Sequence, residues 1–250
     1  LDFPLNIHLG SREISTHFVM EIVSIFVGVR YYSYLRKKSN DSISSINRLI
    51  IFAAVCFGAL IGSRVIGVLE QPFAFMNSEN KFVYIFSNKT IVGGLLGGLL
   101  VVEITKKLIG VTSSSGDIMT YPLILGLILG RIGCFCEGLA DGTIGKATSL
   151  FTGIDFGDGI LRHPLPLYEI IFLISLWIFI RMMEKKGLSN GSKFKLFLIS
   201  YLFYRFMIEF LKEEQFTFFY LSVIQLTCFA GLIYYLPVIL KPKKLFLQYA

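Results

Sequence analysis

Four arginines, Arg30, Arg64, Arg131 and Arg205, stand inside runs of apolar residues long enough to cross a bilayer. Charge at that depth costs at least about 2.5 kcal/mol on the most lenient insertion scale, so it implies a partner or an anionic ligand. A guanidinium is always protonated and presents a planar fork of donors that matches phosphate. These residues point to the handling of a phosphate-bearing molecule among lipids. Arg131 lies in Gly130-Arg131-Ile132-Gly133-Cys134-Phe135. Further along, Arg162-His163-Pro164-Leu165-Pro166-Leu167-Tyr168-Glu169 adds an imidazole, a phenol and a carboxylate. His163, with an ordinary pKa near 6.5, can serve as a general base or as a helix-end hydrogen bonder. Glu169 reads as a carboxylate that orients an arginine rather than as a base. Arg205 has Glu209 one turn later, and an internal salt bridge there, or a link to Glu169 or Glu21, is the structural alternative to ligand binding.

The cysteines are Cys56, Cys134, Cys136 and Cys228. Cys56 and Cys228 sit within apolar runs, where cysteine behaves as a small hydrophobe. Cys134-Phe135-Cys136 is a candidate metal or redox pair, but no second pair and no histidine lies near it in sequence. No metal site and no cofactor is therefore expected. Gly93-Gly94-Leu95-Leu96-Gly97-Gly98 stacks small residues on one helical face, which permits close helix packing in lipid. Bare backbone there would also admit a lipid head group.

The elements that must position these groups follow from composition. The chain is 54% hydrophobic and 16% charged with mean hydropathy +0.67, against about 25% charged in soluble proteins. Its net charge of +7 resides largely at the ends of apolar runs, where lysine and arginine set topology and meet anionic lipid head groups. That placement argues against nucleic acid as a partner. The fold expected is an all-α integral membrane protein of seven transmembrane helices, at approximately 16–35, 46–69, 90–110, 116–135, 163–184, 194–211 and 217–240. Each is near the roughly 20 residues that cross a bilayer. The connections on one side carry fourteen Lys and Arg and those on the other carry six. Lys- and Arg-rich short loops stay cytoplasmic, so the N-terminus is expected outside and the C-terminus inside. Leu1 to Ser15 is expected as an arm at the outer surface, 136–162 as an irregular outer loop, and 1–250 as a single transmembrane domain. The first apolar run precedes its basic cluster, Arg36-Lys37-Lys38, unlike a cleavable signal peptide.

The sequence resembles the bacterial prolipoprotein diacylglyceryl transferase family over most of its length. The residues that carry the resemblance are Gly62-Ser63-Arg64, Gly93-Gly94, Asp117, the Gly-Arg-x-Gly-x-Phe of Gly130 to Phe135, the His-Pro-x-x-Leu-Tyr-Glu of His163 to Glu169, Arg205-Phe-x-x-Glu209-Phe, and Gln225. The resemblance implies a seven-helix protein of the bacterial inner (cytoplasmic) membrane. It implies transfer of the diacylglyceryl group of phosphatidylglycerol to the lipobox cysteine of a preprolipoprotein, with release of glycerol-1-phosphate. Phosphatidylglycerol, the lipobox segment and membrane lipids are the partners it implies.

By the same resemblance Arg131 and Arg205 are the phosphate-side cations, with His163 and Glu169 completing the catalytic set. Arg64, Gly93, Gly94, Gly138, Gly142, Tyr168, Glu209, Gln225 and His17 are implied in substrate binding. The chain departs from the pattern at four places. Val92 stands where members have a histidine before the paired glycine, Cys134 where they have asparagine, and His17 where a first-span tyrosine is expected. An acidic residue expected near Leu139 has only Glu137 and Asp141 as neighbours. These departures touch thiol activation, for which His17 or His163 is an alternative base. Two other readings stay open: a divergent relative acting on another acceptor, and a phospholipid-binding membrane protein without catalysis. No paired repeat suggests a transporter, and the seventh run holds no lysine of the kind a retinal receptor needs.

Overall fold

The computed structural model describes residues 3–10, 12–39, 41–213, 217–218 and 220–246, with 9, 12, 217 and 218 described by their backbone. The chain is mostly helical and divides into two compact units.

The first unit comprises Leu1–Asn40, Gly116–Leu188 and Phe210–Glu213. Its helices are α1 (Thr16–Lys38), α6 (Thr120–Glu137) and α7 (Leu165–Glu184), with α6 packed against both others. No described residue of α1 is buried, and Phe18, Ile22, Ile25 and Phe26 lie exposed along it. An apolar helix without a buried face is solvated by lipid rather than water. Within the stretch expected as an N-terminal arm, β1 (Ile7–Leu9) pairs with β2 (Arg12–Ile14) as a hairpin. Leu5 N–H donates to the Cys136 carbonyl at 2.7 Å, and the Phe3 ring sits against Phe135 and Phe156, so the arm is strapped to the end of α6.

The second unit comprises Asp41–Ser115, Ser189–Glu209 and Glu214–Ala250. It holds α2 (Ser45–Glu70), the short α3 (Pro72–Asn77) and α4 (Lys81–Ser87), α5 (Ile91–Leu108), α8 (Ser192–Ile208), α9 (Val223–Tyr234) and α10 (Leu236–Leu240). The α2–α5 contact is the most extensive, and glycine explains it. A Cβ on Gly62 would lie 2.8 Å from the Gly97 Cα, and one on Gly58 would lie 2.8 Å from the Val101 side chain. The two backbones touch, as small residues at four-residue spacing allow. Side-chain caps fix the starts: Ser44 accepts from Asn47 N–H, Thr90 from Gly93 N–H, and Ser222 with Gln225 forms a reciprocal capping box, each cap contributing about 1 kcal/mol.

Against the seven expected spans, four helices among the described residues are by themselves long and apolar enough to cross a membrane: α1, α2, α6 with its following turn, and α7. A fifth arises if α4 and α5, bent 89° apart, count as one span. The expected continuous run 217–240 is broken after Tyr234, because Pro237 opens α10. Proline has no N–H and clashes with the carbonyl four residues back. The expected helix 194–211 ends at Ile208 in a tight turn, Glu209–Leu211. The start expected at 116 moves to Thr120, and that expected at 163 moves to Leu165, with Pro166 in the first turn of α7. The loop 136–162, expected to be irregular, contains a 3-10 turn at Gly138–Asp141 and a hairpin of β3 (Ile154–Asp155) and β4 (Leu161–Arg162). A third hairpin pairs β5 (Thr217–Phe218) with β6 (Leu221–Ser222) before α9.

Candidate active site

In the first unit the site is built on the last turns of α6 and the first turn of α7. Gly133 faces α1: a Cβ there would come within 3.1 to 3.3 Å of Met20 and His17. The absence of a side chain therefore lets α1 bring His17 alongside the end of α6. Arg131 and Glu169 are both buried, and Arg131 Nε lies 2.9 Å from Glu169 Oε2. In surroundings of low dielectric such a pair holds both charges, and loss of one partner strands the other at a cost of about 3 to 5 kcal/mol. Arg131 Nη1 also donates to Cys134 Sγ at 3.6 Å.

The chain then leaves α6 through Gly138, whose φ of +68° suits glycine and whose bare face meets the Phe3 ring. Gly142, at φ +67°, has open space where a side chain would stand. Between them Asp141 places Oδ1 3.4 Å from His17 Nδ1 and accepts a hydrogen bond from the Thr143 hydroxyl. His17, Cys134 and Asp141 present ligand-type atoms all within 4.8 Å of one another.

Beyond this cluster the loop is pinned to the start of α7. Gly145 N–H donates to the His163 carbonyl at 2.9 Å, and His163 N–H donates to the Lys146 carbonyl at 3.1 Å. His163 is buried, its Nδ1 is 3.2 Å from the Tyr168 hydroxyl, and that hydroxyl is 2.6 Å from Thr152 Oγ1. Burial, with the Lys146 ammonium as the lesser cause, lowers the His163 pKa below its usual value. The imidazole is therefore neutral at pH 7 and able to accept a proton.

In the second unit Arg205 Nη2 lies 3.1 Å from Glu209 Oε2, an i,i+4 pair with both side chains nearly buried. Gln225 is occupied in the capping box and donates from Nε2 to the Phe206 carbonyl at 3.3 Å. Arg64 donates to the Phe86 carbonyl at 2.6 Å and sits over the Phe86 ring. Its Nε is buried with no hydrogen-bond partner among the described residues. Gly93 is buried and turned toward α2, where its missing Cβ would meet Ile66 at 2.8 Å, and Gly94 faces the Ala59 carbonyl. The close approach at this glycine pair is therefore to a neighbouring helix.

The residues singled out from sequence thus fall into local groups: Arg131 with Glu169, His163 with Tyr168, and Arg205 with Glu209. The grouping of His17 with Cys134 and Asp141 was not legible, since 117 positions separate the first two along the chain. Gly133 is a sequence feature that could have signalled the α1–α6 approach, as are Gly126 against the Ser24 carbonyl and Gly28 against the Pro122 carbonyl. Arg48, in the first turn of α2, was not singled out from the sequence. It is a buried guanidinium, held at 2.6 and 2.7 Å by Asp41 and bonded to the Ser115 carbonyl.

The family model for prolipoprotein diacylglyceryl transferase matches residues 4–240. The chain is similar to phosphatidylglycerol–prolipoprotein diacylglyceryl transferases of several bacteria. That of Nitratidesulfovibrio vulgaris (strain DP4) is 33% identical over 200 residues, covering 74% of this chain and 71% of the relative. That of Wolbachia pipientis subsp. Culex pipiens (strain wPip) is 29% identical over 205 residues, covering 76% and 75%. That of Chromobacterium violaceum is 27% identical over 244 residues, covering 85% and 84%.

Proposed function

The chain belongs to the prolipoprotein diacylglyceryl transferase family, and on that premise we propose that it transfers the diacylglyceryl group of phosphatidylglycerol to a lipobox cysteine. The observation that carries this reading is an arginine at each of two motif positions, one buried and one nearly so, each held by a carboxylate, Arg131 by Glu169 and Arg205 by Glu209. In the reaction, the acceptor sulfur forms a bond to the glyceryl carbon that bears the phosphate ester. That carbon's C–O bond breaks, the electron pair passes to the phosphate oxygen, and glycerol-1-phosphate leaves. Charge accumulates on phosphate in the transition state, where a preoriented guanidinium in a dry site is worth most. Arg131 and Arg205 take that role, with Glu169 and Glu209 holding them charged and oriented. The family resemblance also implies roles in lipid binding for Tyr168, Gly138 and Gly142 of the first unit and for Arg64 and Gln225 of the second. The acceptor thiol must lose its proton to become a nucleophile. Val92 is buried on α5 and offers no base, whereas His163 is a neutral imidazole outside the spans.

The same reading places seven spans in the bacterial inner membrane, with the N-terminus and the loop 136–162 outside and the C-terminus in the cytoplasm. The bias of Lys and Arg between alternate connections supports it. A second reading, lipid binding without turnover, is favoured by the carboxylate already beside each arginine. Incubation of the purified protein with phosphatidylglycerol and a lipobox peptide separates the two. Thioether-linked peptide with equimolar glycerol phosphate supports transfer, and bound lipid with neither product contradicts it.

A further inference from the structure

We propose that His17, Cys134 and Asp141 bind one Zn²⁺ ion, and that the ion's remaining position takes the acceptor thiol. The ion binding stands on geometry alone; the role given to it rests on the transferase reading above.

Three different donors converge from three elements: an imidazole from α1, a thiol from the last turn of α6, and a carboxylate from the 3-10 turn that follows. Tetrahedral zinc with bonds of about 2.0 to 2.3 Å sets its ligand atoms roughly 3.3 to 3.7 Å apart. The His17 Nδ1 to Asp141 Oδ1 distance is already 3.4 Å, and no pair of the three exceeds 4.8 Å. The surroundings suit a thiolate: Arg131 Nη1 donates to Cys134 Sγ, and the Thr143 hydroxyl donates to the second oxygen of Asp141. Such outer partners fix ligand orientation at metal sites. Charge also balances, since Zn²⁺ with one thiolate and one carboxylate is neutral, and the adjoining Arg131–Glu169 pair is neutral too.

Three protein ligands leave a fourth position, the pattern of a catalytic rather than a structural zinc site. The His17 side chain is 27% exposed, whereas Asp141 is 7% exposed, so approach is from the imidazole side. A thiol that coordinates zinc is deprotonated outright. Its proton passes to bulk water, and the bound sulfur then attacks the glyceryl carbon while the C–O electron pair goes to phosphate. No oxidation or reduction is involved. This supplies an activated thiolate in a chain whose Val92 cannot act as a base.

The test begins with the full-length protein in detergent, loaded with ZnCl₂ and desalted. Elemental mass spectrometry is expected to find one zinc per chain. With Co²⁺ in its place, a sulfur-to-cobalt charge-transfer band should appear in the near ultraviolet. Cys134→Ser should lose that band. Zinc should raise the melting temperature of wild type but not that of His17→Ala or Asp141→Asn, each compared with its own metal-free form so that altered folding does not confuse the result. Thr143→Val, which keeps every ligand, should weaken zinc binding about 10- to 100-fold. A cysteine-containing lipobox peptide should intensify the cobalt band, and its serine counterpart should not. Substoichiometric zinc with no charge-transfer band in folded wild type overturns the site, as does a band that survives Cys134→Ser. An unchanged band on peptide addition overturns the role. Undiminished lipid transfer by zinc-stripped protein also overturns the role while leaving the transferase reading intact. A full metal signature without transfer would leave the site standing and sink the transferase reading.

Discussion

Arg131 is paired with Glu169 and donates to Cys134 Sγ, and replacing each partner separates charge from shape. Arg131→Ala is expected to lower transfer by about 10²- to 10³-fold, the scale of losing one preorganised donor to developing negative charge. It also strands Glu169 in the interior. Glu169→Gln keeps the shape and is expected to destabilise the protein by about 3 kcal/mol by leaving the arginine without its counter-charge; thermal melting beside steady-state kinetics measures both. His163 gives a pH prediction. Its folded pKa lies below its usual value through burial, so the unfolded chain binds its proton first on acidification. The contribution of His163 to stability is therefore complete above about pH 6.5 and falls as pH drops below it. In His163→Gln that acid-side loss should shrink, as read from melting temperature against pH. Arg131 and Glu169 were legible in the sequence because each stands in a short motif. The cluster of His17, Cys134 and Asp141 was not, because it exists only where α1 crosses the end of α6.

At the level of elements, the α2–α5 contact rests on glycine. Gly58, Gly62, Gly93 and Gly97 bring α2 and α5 backbone to backbone, with no room for a Cβ between them. Gly97→Val is expected to abolish folding or to cut the yield of folded protein severely. Gly94→Ala, whose new Cβ would sit 3.6 Å from its nearest neighbour, should be tolerated; size-exclusion profiles of the two variants check the contrast. The stripe was visible in the sequence as small residues at helical spacing. Its partner face on α2 was less so, since Gly58 and Gly62 are dispersed among Leu60, Ile61 and Ser63. The hairpins escaped sequence reading for a different reason. β3 and β4 are two residues each, too short for any alternation to register, and they form because Asp155 accepts from Gly157 and Gly159 N–H groups in the intervening turn.

For the molecule as a whole, each apolar run expected from hydropathy contains a helix, and among the described residues four of them, or five if α4 and α5 count as one span, are long and apolar enough to cross a membrane. Hydropathy did not show that the third is preceded by two short helices or that the last is split at Tyr235 and Pro237. Both failures share a cause: a mean over a window of apolar residues is blind to a change of direction within it. Orientation is a prediction at this scale. Cysteine scanning with a membrane-impermeant maleimide, on intact cells, should label a Phe151→Cys variant in the long loop and spare one at Lys243→Cys near the C-terminus. The reverse pattern would invert the topology.

The most direct measurement is mass spectrometry of a lipobox peptide after incubation with the protein in phosphatidylglycerol vesicles, with glycerol phosphate assayed in parallel. A diacylglyceryl thioether on the peptide cysteine is expected, matched mole for mole by glycerol-1-phosphate and lost in Arg131→Ala and Arg205→Ala. Unmodified peptide with no glycerol phosphate, from wild-type protein that is folded and binds the lipid, would contradict the transferase reading.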